Sequence, residues 1–440
     1  MKKVVKFGGS SLADAEQFKK AGDIIKADPA RAYVVVSAPG KRDSRDTKVT
    51  DMLYRTYDEA ERGEDFKKSL KNIRTRYEEI VEGLGLTGRI DLDTEFKAIE
   101  KNFKAKAGRD YAASRGEYLN GLIMAGFLGV DFIDAASVIV FDDEGYDAEK
   151  TSKLMKKRLK DTEAAVIPGF YGAKEDGTVK TFSRGGSDIT GAIVAGAIHA
   201  DVYENWTDVS GFLVADPRII EKPAQIDTIT YTELRELAYM GASVLHEDSI
   251  FPVRKEGIPI NIRNTNKPED SGTWIVESTA RKSKYTITGI AGKRGFCCVN
   301  ILKDMMNSEV GFVRKVLQAF EDQNISIEHV PSGIDTMTVF VSQEEFIDKE
   351  QSVVSEIHRL AKPDLLEIES DLALIAVVGR GMKRQRGTAA RIFSALAHVN
   401  VNCRMIDQGS SELNIIIGVE NRDFERAIRA IYDIFVVTQI

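Results

Sequence analysis

The sequence predicts an α/β protein built on a largely parallel sheet, followed by two smaller βαββαβ units, and three observations carry that reading. Over about the first 280 residues, short runs rich in Val and Ile alternate with helical segments, the layering of a buried parallel sheet. Two glycine-rich turns, at Gly8-Gly9 and Gly185-Gly186, each lead into a helix. Beyond about residue 285 the chain repeats itself, residues 311–333 aligning without gaps to residues 387–409, 76 positions later. At 440 residues the chain can bury two or three separate cores. The expected division is 1–284, 285–370 and 371–440.

The first strand, residues 4–7, runs into Gly8-Gly9 and then Ser10-Ser11. Glycines can take positive φ and let the backbone approach a ligand, so that N–H groups point at phosphate oxygens. Ser10 and Ser11 are candidate caps for a helix over 13–27, whose positive end favours an anion at the same place. Lys6 adds a full charge. Read alone, these residues fit an ordinary βα turn with a solvated lysine equally well. No G-x-x-x-x-G-K-[ST] loop, dinucleotide turn or protein-kinase signature is present.

A strand over 32–37 leads to Thr47-Lys48-Val49-Thr50-Asp51. Residues 51–110, dense in Glu, Lys and Arg with apolar residues at helical spacing, read as a helical excursion on one side of the sheet, more scaffold than site. Ser114-Arg115-Gly116-Glu117 reads as a helix opening with a carboxylate near its N-terminus. Taken alone, capping and solvated charge account for Thr50 and Glu117. Strands over 130–134 and 165–168 precede the second glycine turn, Ser183-Arg184-Gly185-Gly186-Ser187-Asp188. Arg184 offers a planar fork suited to a carboxylate, with Ser187 and Asp188 at the start of a helix over 188–198. A strand over 202–206 closes in Thr207-Asp208, with Asp216-Pro217-Arg218 beyond, and a helix over 231–245 and a strand over 258–263 complete the region. In open α/β sheets ligands bind at the carboxyl ends of the strands, where these turns would meet.

In each copy of the repeat a glycine opens an amphipathic helix (313–322; 389–398), an Asn ends it, and a strand follows (325–330; 401–406). A second helix and strand finish each unit. Helices cover one face of so small a sheet and leave the other bare, so two copies should pair sheets or extend them edge to edge, a geometry that also favours pairing between subunits.

A net charge of −7 argues against wholesale nucleic-acid binding, and the run Arg380, Lys383, Arg384, Arg386 is most simply a solvated loop. Three cysteines make no disulfide framework, and no His/Cys cluster has metal-ligand spacing, so no metal site is expected and a reducing compartment fits. No apolar run approaches about 18 residues and the N-terminus enters a strand directly, so the expectation is a soluble, cytoplasmic protein with no membrane partner.

The chain resembles the aspartate kinases of the amino-acid kinase family that carry tandem ACT regulatory domains. Val5-Lys6-Phe7-Gly8-Gly9-Ser10-Ser11, Val49-Thr50-Asp51-Met52-Leu53, Gly116-Glu117, Ser183-Arg184-Gly185-Gly186-Ser187-Asp188, Trp206-Thr207-Asp208-Val209, Asp216-Pro217-Arg218 and Arg263-Asn264-Thr265 carry the resemblance. Met306-Asn307 with Gly311-Phe312, and Gln408-Gly409-Ser410-Ser411, extend it into the repeat. It implies the three-layer amino-acid-kinase fold with two ferredoxin-like ACT units. The implied reaction is transfer of the γ-phosphoryl of ATP, with Mg²⁺ held mainly by the nucleotide, to the side-chain carboxylate of L-aspartate. That is the first step of lysine, threonine and methionine biosynthesis. By resemblance Lys6 and Asp188 are catalytic, with Asp188 holding Lys6. Gly8, Gly9, Ser10, Thr207, Asp208 and Arg218 serve ATP; Arg184 grips the α-carboxylate of aspartate; Thr50, Ser187 and Glu117 complete its pocket, Glu117 opposite the ammonium.

Two positions depart from the family pattern. A usual lysine is Ser243, and a frequent tyrosine near the nucleotide is Leu213. The rivals are a kinase for another small acid, such as glutamate or N-acetylglutamate, and a catalytically silent amino-acid sensor. In the first ACT copy Met306, Ser308, Gly311, Phe312 and Val313 make a cradle for the α-carboxylate of an effector, with Ser326 and Glu328 facing its ammonium. The second copy has Arg404 in place of Glu328, so it is read as pairing surface. The resemblance implies feedback inhibition and a homo-oligomer formed through the ACT domains, and the acidic pocket points to lysine ahead of threonine, alone or with it.

Overall fold

The computed structural model describes residues 1–183, 185–242, 245, 250–279 and 284–438. The chain forms two compact units. One holds Met1–Phe212, Asp227–Tyr231 and Val244–Thr279, the other Leu213–Ile226, Thr232–Ser243 and Ala280–Ile440.

The strands of the first unit are β1 (Lys3–Phe7), β2 (Tyr33–Val36), β3 (Asp131–Phe132), β4 (Ala165–Pro168), β5 (Tyr171–Ala173), β6 (Val179–Thr181), β7 (Val202–Thr207), β8 (Thr228–Thr230), β9 (Ile260–Asn264) and β10 (Thr273–Val276). Eight make one sheet in the order β3-β4-β2-β1-β7-β9-β10-β8, while β5 and β6 form a separate hairpin. Pairing is parallel from β3 through β9, and β10 runs antiparallel to β9. The central strands are buried on both faces, which is why they read as short runs rich in Val and Ile.

The helices are α1 (Ala15–Lys26), α2 (Val49–Glu61), α3 (Lys67–Gly83), α4 (Leu92–Lys104), α5 (Arg109–Leu128), α6 (Ala148–Leu159), α7 (Gly186–Ala197), α8 (Tyr231–Tyr239) and α9 (Phe251–Lys255). Val5, Phe7, Val34, Val36, Val166 and Trp206 form one core with α1 to α5. Side chains alternate along a strand, so Lys6 points to the opposite face, where α7 lies with α6 and α9 beside it. The sheet is thus the middle of three layers.

Two helix readings need correction. Glu117 lies well inside α5, which begins at Arg109 after Gly108 turns the chain with φ 101°. α8 ends at Tyr239, stopped near Gly241 with φ 98°, and all but its first residue belongs to the second unit.

In the second unit β11 (Gly289–Leu302), β12 (Ile327–His329), β13 (Thr336–Ser342), β14 (Leu365–Val378), β15 (Met405–Asp407) and β16 (Asn414–Glu420) form one antiparallel sheet in the order β12-β13-β11-β14-β16-β15. Helices α10 (Phe312–Glu321), α11 (Gln343–Phe346), α12 (Glu350–Ala361), α13 (Thr388–His398) and α14 (Phe424–Tyr432) accompany it. The copies join edge to edge through β11 and β14, which pair along their whole length with register shifts between Arg294 and Cys298. No strand follows α14 among the described residues. The fourth strand of the second copy is supplied by residues 289–294, which pair with Ala373–Val378 and lie at the start of the first copy's own β11. The sheet is curled: His329 on edge strand β12 lies 2.8 Å from Asp407 on the opposite edge strand β15.

α8 packs against this sheet. A Cβ on Gly289 would lie 2.7 Å from Leu237, and the fully buried Glu233 is held by Thr288 Oγ1 at 2.6 Å and Arg380 Nη1 at 2.7 Å. Among the described residues no helix is long and apolar enough to cross a membrane.

Candidate active site

The first glycine turn follows the central strand β1. Neither glycine takes positive φ, and Gly8 is extended at φ −70°. What the position requires is room. A Cβ on Gly9 would lie 2.9 Å from Ala38 O, and one on Gly40 2.6 Å from Gly9 C, while Gly40 N–H donates to Gly9 O at 2.8 Å. The loop after β2 is therefore laid directly on the turn. The Gly8 N–H, expected to face phosphate, donates instead to Trp206 O at 2.9 Å, completing the β1–β7 ladder. Among the described residues the Gly9 and Ser10 amides have no hydrogen-bond partner. Ser10 and Ser11 cap nothing, because an extra helical turn, Gly9–Leu12, moves the start of α1 to Ala15, and Asp14 caps it through Gln17 N at 2.9 Å. Ser11 Oγ meets Thr265 Oγ1 at 2.7 Å.

Lys6 is 8% exposed and its Nζ lies 2.7 Å from Asp188 Oδ1 on α7. Asn205 on β7, opposite Lys6 in register, donates from Nδ2 to the same Oδ1 at 2.8 Å, and its own Oδ1 is 3.5 Å from Lys6 Nζ. The cation is thus fixed from two sides. The second turn enters α7 through Gly185 (φ 73°) and Gly186 (φ 44°), values that favour glycine. It seats Ser187 against Gly169 just past β4, where a Cβ would lie 2.3 Å from that of Ser187. Arg184 and Ser243 lie outside the described residues.

Glu117 is 5% exposed. Burial pushes its carboxyl up to about 8, against the pull of hydrogen bonds from the Ala38 amide and its own amide and of the Arg115 charge. Its Oε2 has no partner. Thr50 stands half-buried in the first turn of α2. Thr207 ends β7, its hydroxyl 3.2 Å from Asp208 Oδ1. Arg218 is exposed and forms a two-pronged pair with Asp216 at 2.6 and 3.0 Å within the second unit. Among the described residues no group of three or more His, Cys, Asp or Glu is placed to hold a metal ion.

Sequence reasoning passed over Asn205, Gly40 and Arg76. An Asn in the middle of a buried strand is an anomaly that marks the first, and Pro39-Gly40 after a strand marks the second. Arg76 gave no signal within the charged α3. It is nevertheless buried, donating to Ala13 O at 3.0 Å, Gly40 O at 3.1 Å and Asp46 at 2.7 Å. It ties the loop after β2 to the segment after the glycine turn.

In the repeat, Gly311 (φ 84°) starts α10, with Met306 and Phe312 buried in the first copy's core and Val313 exposed. Ser308 Oγ donates to Met305 O at 2.8 Å. Ser326 precedes β12, its amide 3.3 Å from Glu345 Oε2, and Glu328 accepts from Tyr239 OH at 2.6 Å. Arg404 is ion-paired with Glu369 at 2.5 Å.

Residues 1–264 match the amino acid kinase family and residues 375–435 the ACT domain. Aspartokinase 3 of Bacillus subtilis is 39% identical over 98% of both chains. The crystal structure of Clostridium acetobutylicum aspartate kinase, described as an allosteric enzyme, is 50% identical with a TM-score of 0.89, covering 98% of this chain and 99% of that one. Escherichia coli aspartokinase III, 26% identical, matches in complex with lysine and aspartate (T-state) at TM-score 0.74 over 99% of both chains. With aspartate and ADP (R-state) it matches at 0.73, over 98% of this chain and 99% of that one.

Proposed function

The chain belongs to the amino acid kinase family and is an aspartate kinase with ACT regulatory units, and from that premise we propose how its residues divide the work. The reaction is ATP-dependent phosphorylation of the side-chain carboxylate of L-aspartate. That carboxylate is already ionised at neutral pH, so attack on the γ-phosphorus needs no general base. What remains is alignment of two anions and neutralisation of the charge that shifts between them.

Lys6 answers the second need, and it carries the proposal. Its ammonium stands near the carboxyl end of the central strand, two residues before the Gly8-Gly9 turn, steered by Asp188 and Asn205. Each donor aimed at developing charge is worth about 3 kcal/mol in the transition state. Gly8, Gly9 and Ser10 are assigned to the nucleotide phosphates; at Gly8 a Cβ would stand at ordinary contact distance, 3.5 Å, from Lys6 Nζ. Thr207, Asp208 and Arg218 are assigned to the nucleotide. Arg184 is assigned to the α-carboxylate of aspartate, and Thr50, Ser187 and Glu117 to the rest of its pocket, Glu117 meeting the ammonium with its unpartnered oxygen. Mg²⁺ would supply charge neutralisation on the phosphates. With no cluster of protein ligands among the described residues, its hold depends mainly on the nucleotide.

Catalysis is assigned to residues 1–284 and regulation to 285–370 and 371–440 as a pair. Lysine is the proposed effector, with threonine the alternative. The lysine complex of the Escherichia coli relative and the acidic Glu328 support that choice. The ACT units are the proposed site of homo-oligomerisation, in the cytoplasm. Purified protein with ATP, Mg²⁺ and hydroxylamine should yield aspartyl hydroxamate, with glutamate at least a hundredfold poorer because one methylene displaces the nucleophile. Equal yields from the two acids would overturn the substrate assignment.

A further inference from the structure

We infer that Asn120 is a second recognition residue for the α-ammonium of the amino-acid substrate, acting beside Glu117. The inference rests on the aspartate-pocket reading above and adds a contact to it.

Asn120 and Glu117 lie one turn apart on the same face of α5, and Asn120 is completely buried. Their anchors are adjacent residues. Asn120 Nδ2 donates to Ser37 O at 2.7 Å, and Glu117 accepts from the amide of Ala38. Both residues are thereby clamped to the loop that leaves the carboxyl end of β2, the loop that also packs on the Gly9 turn. A carbonyl accepts and cannot donate, so Ser37 O fixes which end of the Asn120 amide faces it, and Oδ1 must face away. That Oδ1 is one of the few buried side-chain atoms without a hydrogen-bond partner, and Glu117 Oε2 is another. Two unpartnered buried oxygens one helical turn apart are destabilising unless something brings N–H groups to them, Glu117 giving up its proton as it receives one. The substrate's ammonium carries three. A carboxylate and a neutral amide oxygen together can take two of them while adding a single negative charge, which leaves the reacting carboxylate less repelled than a second acid would.

Succinate, which is aspartate without the amino group, separates recognition from mere support of the fold. Binding of aspartate and of succinate should be measured by calorimetry on the full chain, with ATP binding as a control. In Asn120→Ala, aspartate should weaken about tenfold, the worth of one hydrogen bond to a charged group. Succinate and ATP should stay within about twofold. Equal weakening of aspartate and succinate would make Asn120 structural, and no weakening of aspartate would remove it from the pocket; either overturns the inference. If Asn120→Ala does not fold, Asn120→Ser, which also withdraws Oδ1 but keeps a polar atom, carries the same comparison. Failure of the underlying reading looks different: the Glu117→Gln variant would then bind aspartate as tightly as the wild type does.

Discussion

At Glu117, burial and recognition pull in opposite directions. Burial holds its carboxyl near 8, well above the ordinary 4.5, chiefly because the charge would be cut off from water. The groups that face it are the Ala38 amide, its own amide and the Arg115 guanidinium, and the phenols of Tyr54 and Tyr77 feel its charge in return. A raised folded-state pKa means that the native chain keeps a proton the unfolded chain releases. The stability it brings is full below about 4.5 and is lost as pH rises through about 8. Thermal unfolding of the ligand-free enzyme between pH 5 and 9 should show the wild type losing stability relative to Glu117→Gln, with the difference levelling off above pH 8. Binding of the aspartate ammonium should ionise Glu117 and release a proton, so aspartate affinity should rise with pH toward 8. Calorimetry in buffers of different ionisation enthalpy reads that proton directly, and an absence of release at pH 7 would contradict the assignment. Lys6 makes the complementary case. Lys6→Met should lower kcat by at least a hundredfold and change KM for either substrate by no more than a few-fold, because the charge matters most in the transition state. Steady-state kinetics that placed the whole loss in KM would move Lys6 to ground-state binding.

At the level of elements, the turn between β1 and α1 acts as half of a two-loop assembly, the other half being residues 38–40. Gly40→Ala tests this. Its Cβ would press on Gly9 C, Ser10 N and Gly9 O at 2.6 to 2.8 Å, all backbone atoms with little room to give. Overpacking of that kind costs about 1 to 3 kcal/mol, and here it should also raise KM for ATP by about tenfold. A variant with unchanged melting temperature and unchanged KM would show the two loops to be independent. This assembly also marks where the sequence stops being readable. Strands β1, β2, β4, β7 and β9 announce themselves because burial on both faces calls for short runs rich in apolar and β-branched residues, even where Lys6, Asn205 or Arg263 interrupts them. Strands β8 and β10 do not: they are three and four residues long, and Thr228, Thr230 and Thr273 interrupt the pattern. Lys6 and the glycines stood out because anion chemistry calls for those residue types near strand ends, whereas the Lys6–Asp188 pair came from the family resemblance. Asn205, Gly40 and Arg76 act through partners distant in sequence, and no local pattern encodes such a partnership.

Over the whole molecule, catalysis and regulation meet in one chain that passes between its two units at 212/213, 226/227, 231/232, 243/244 and 279/280. Aspartate titrations with and without millimolar lysine should show apparent affinity falling by roughly 5- to 150-fold, the usual range of allosteric coupling. Glu328→Ala should abolish the shift while leaving activity without lysine within twofold. A wild type unmoved by lysine, threonine or both would reduce the ACT pair to a role in assembly. The repeat itself was legible from its 76-residue offset, but the ownership of its strands was not, because β11 and β14 each serve both copies.

That shared ownership has a consequence for how such a protein can be altered by recombination. A crossover after the first copy would carry off residues 289–294 and strip the second copy of its fourth strand. A crossover between the copies would cut or reassign β14, which opens the second copy with the same strand that closes the first. Each such product would bare a long hydrogen-bonding edge next to residues such as Leu374, Ile375 and Val377, all fully buried in the intact chain. Gene fusions and deletions that separate the copies should therefore yield aggregating proteins, and only exchanges that move both copies together should survive. The duplication, once made, is locked as a single heritable block.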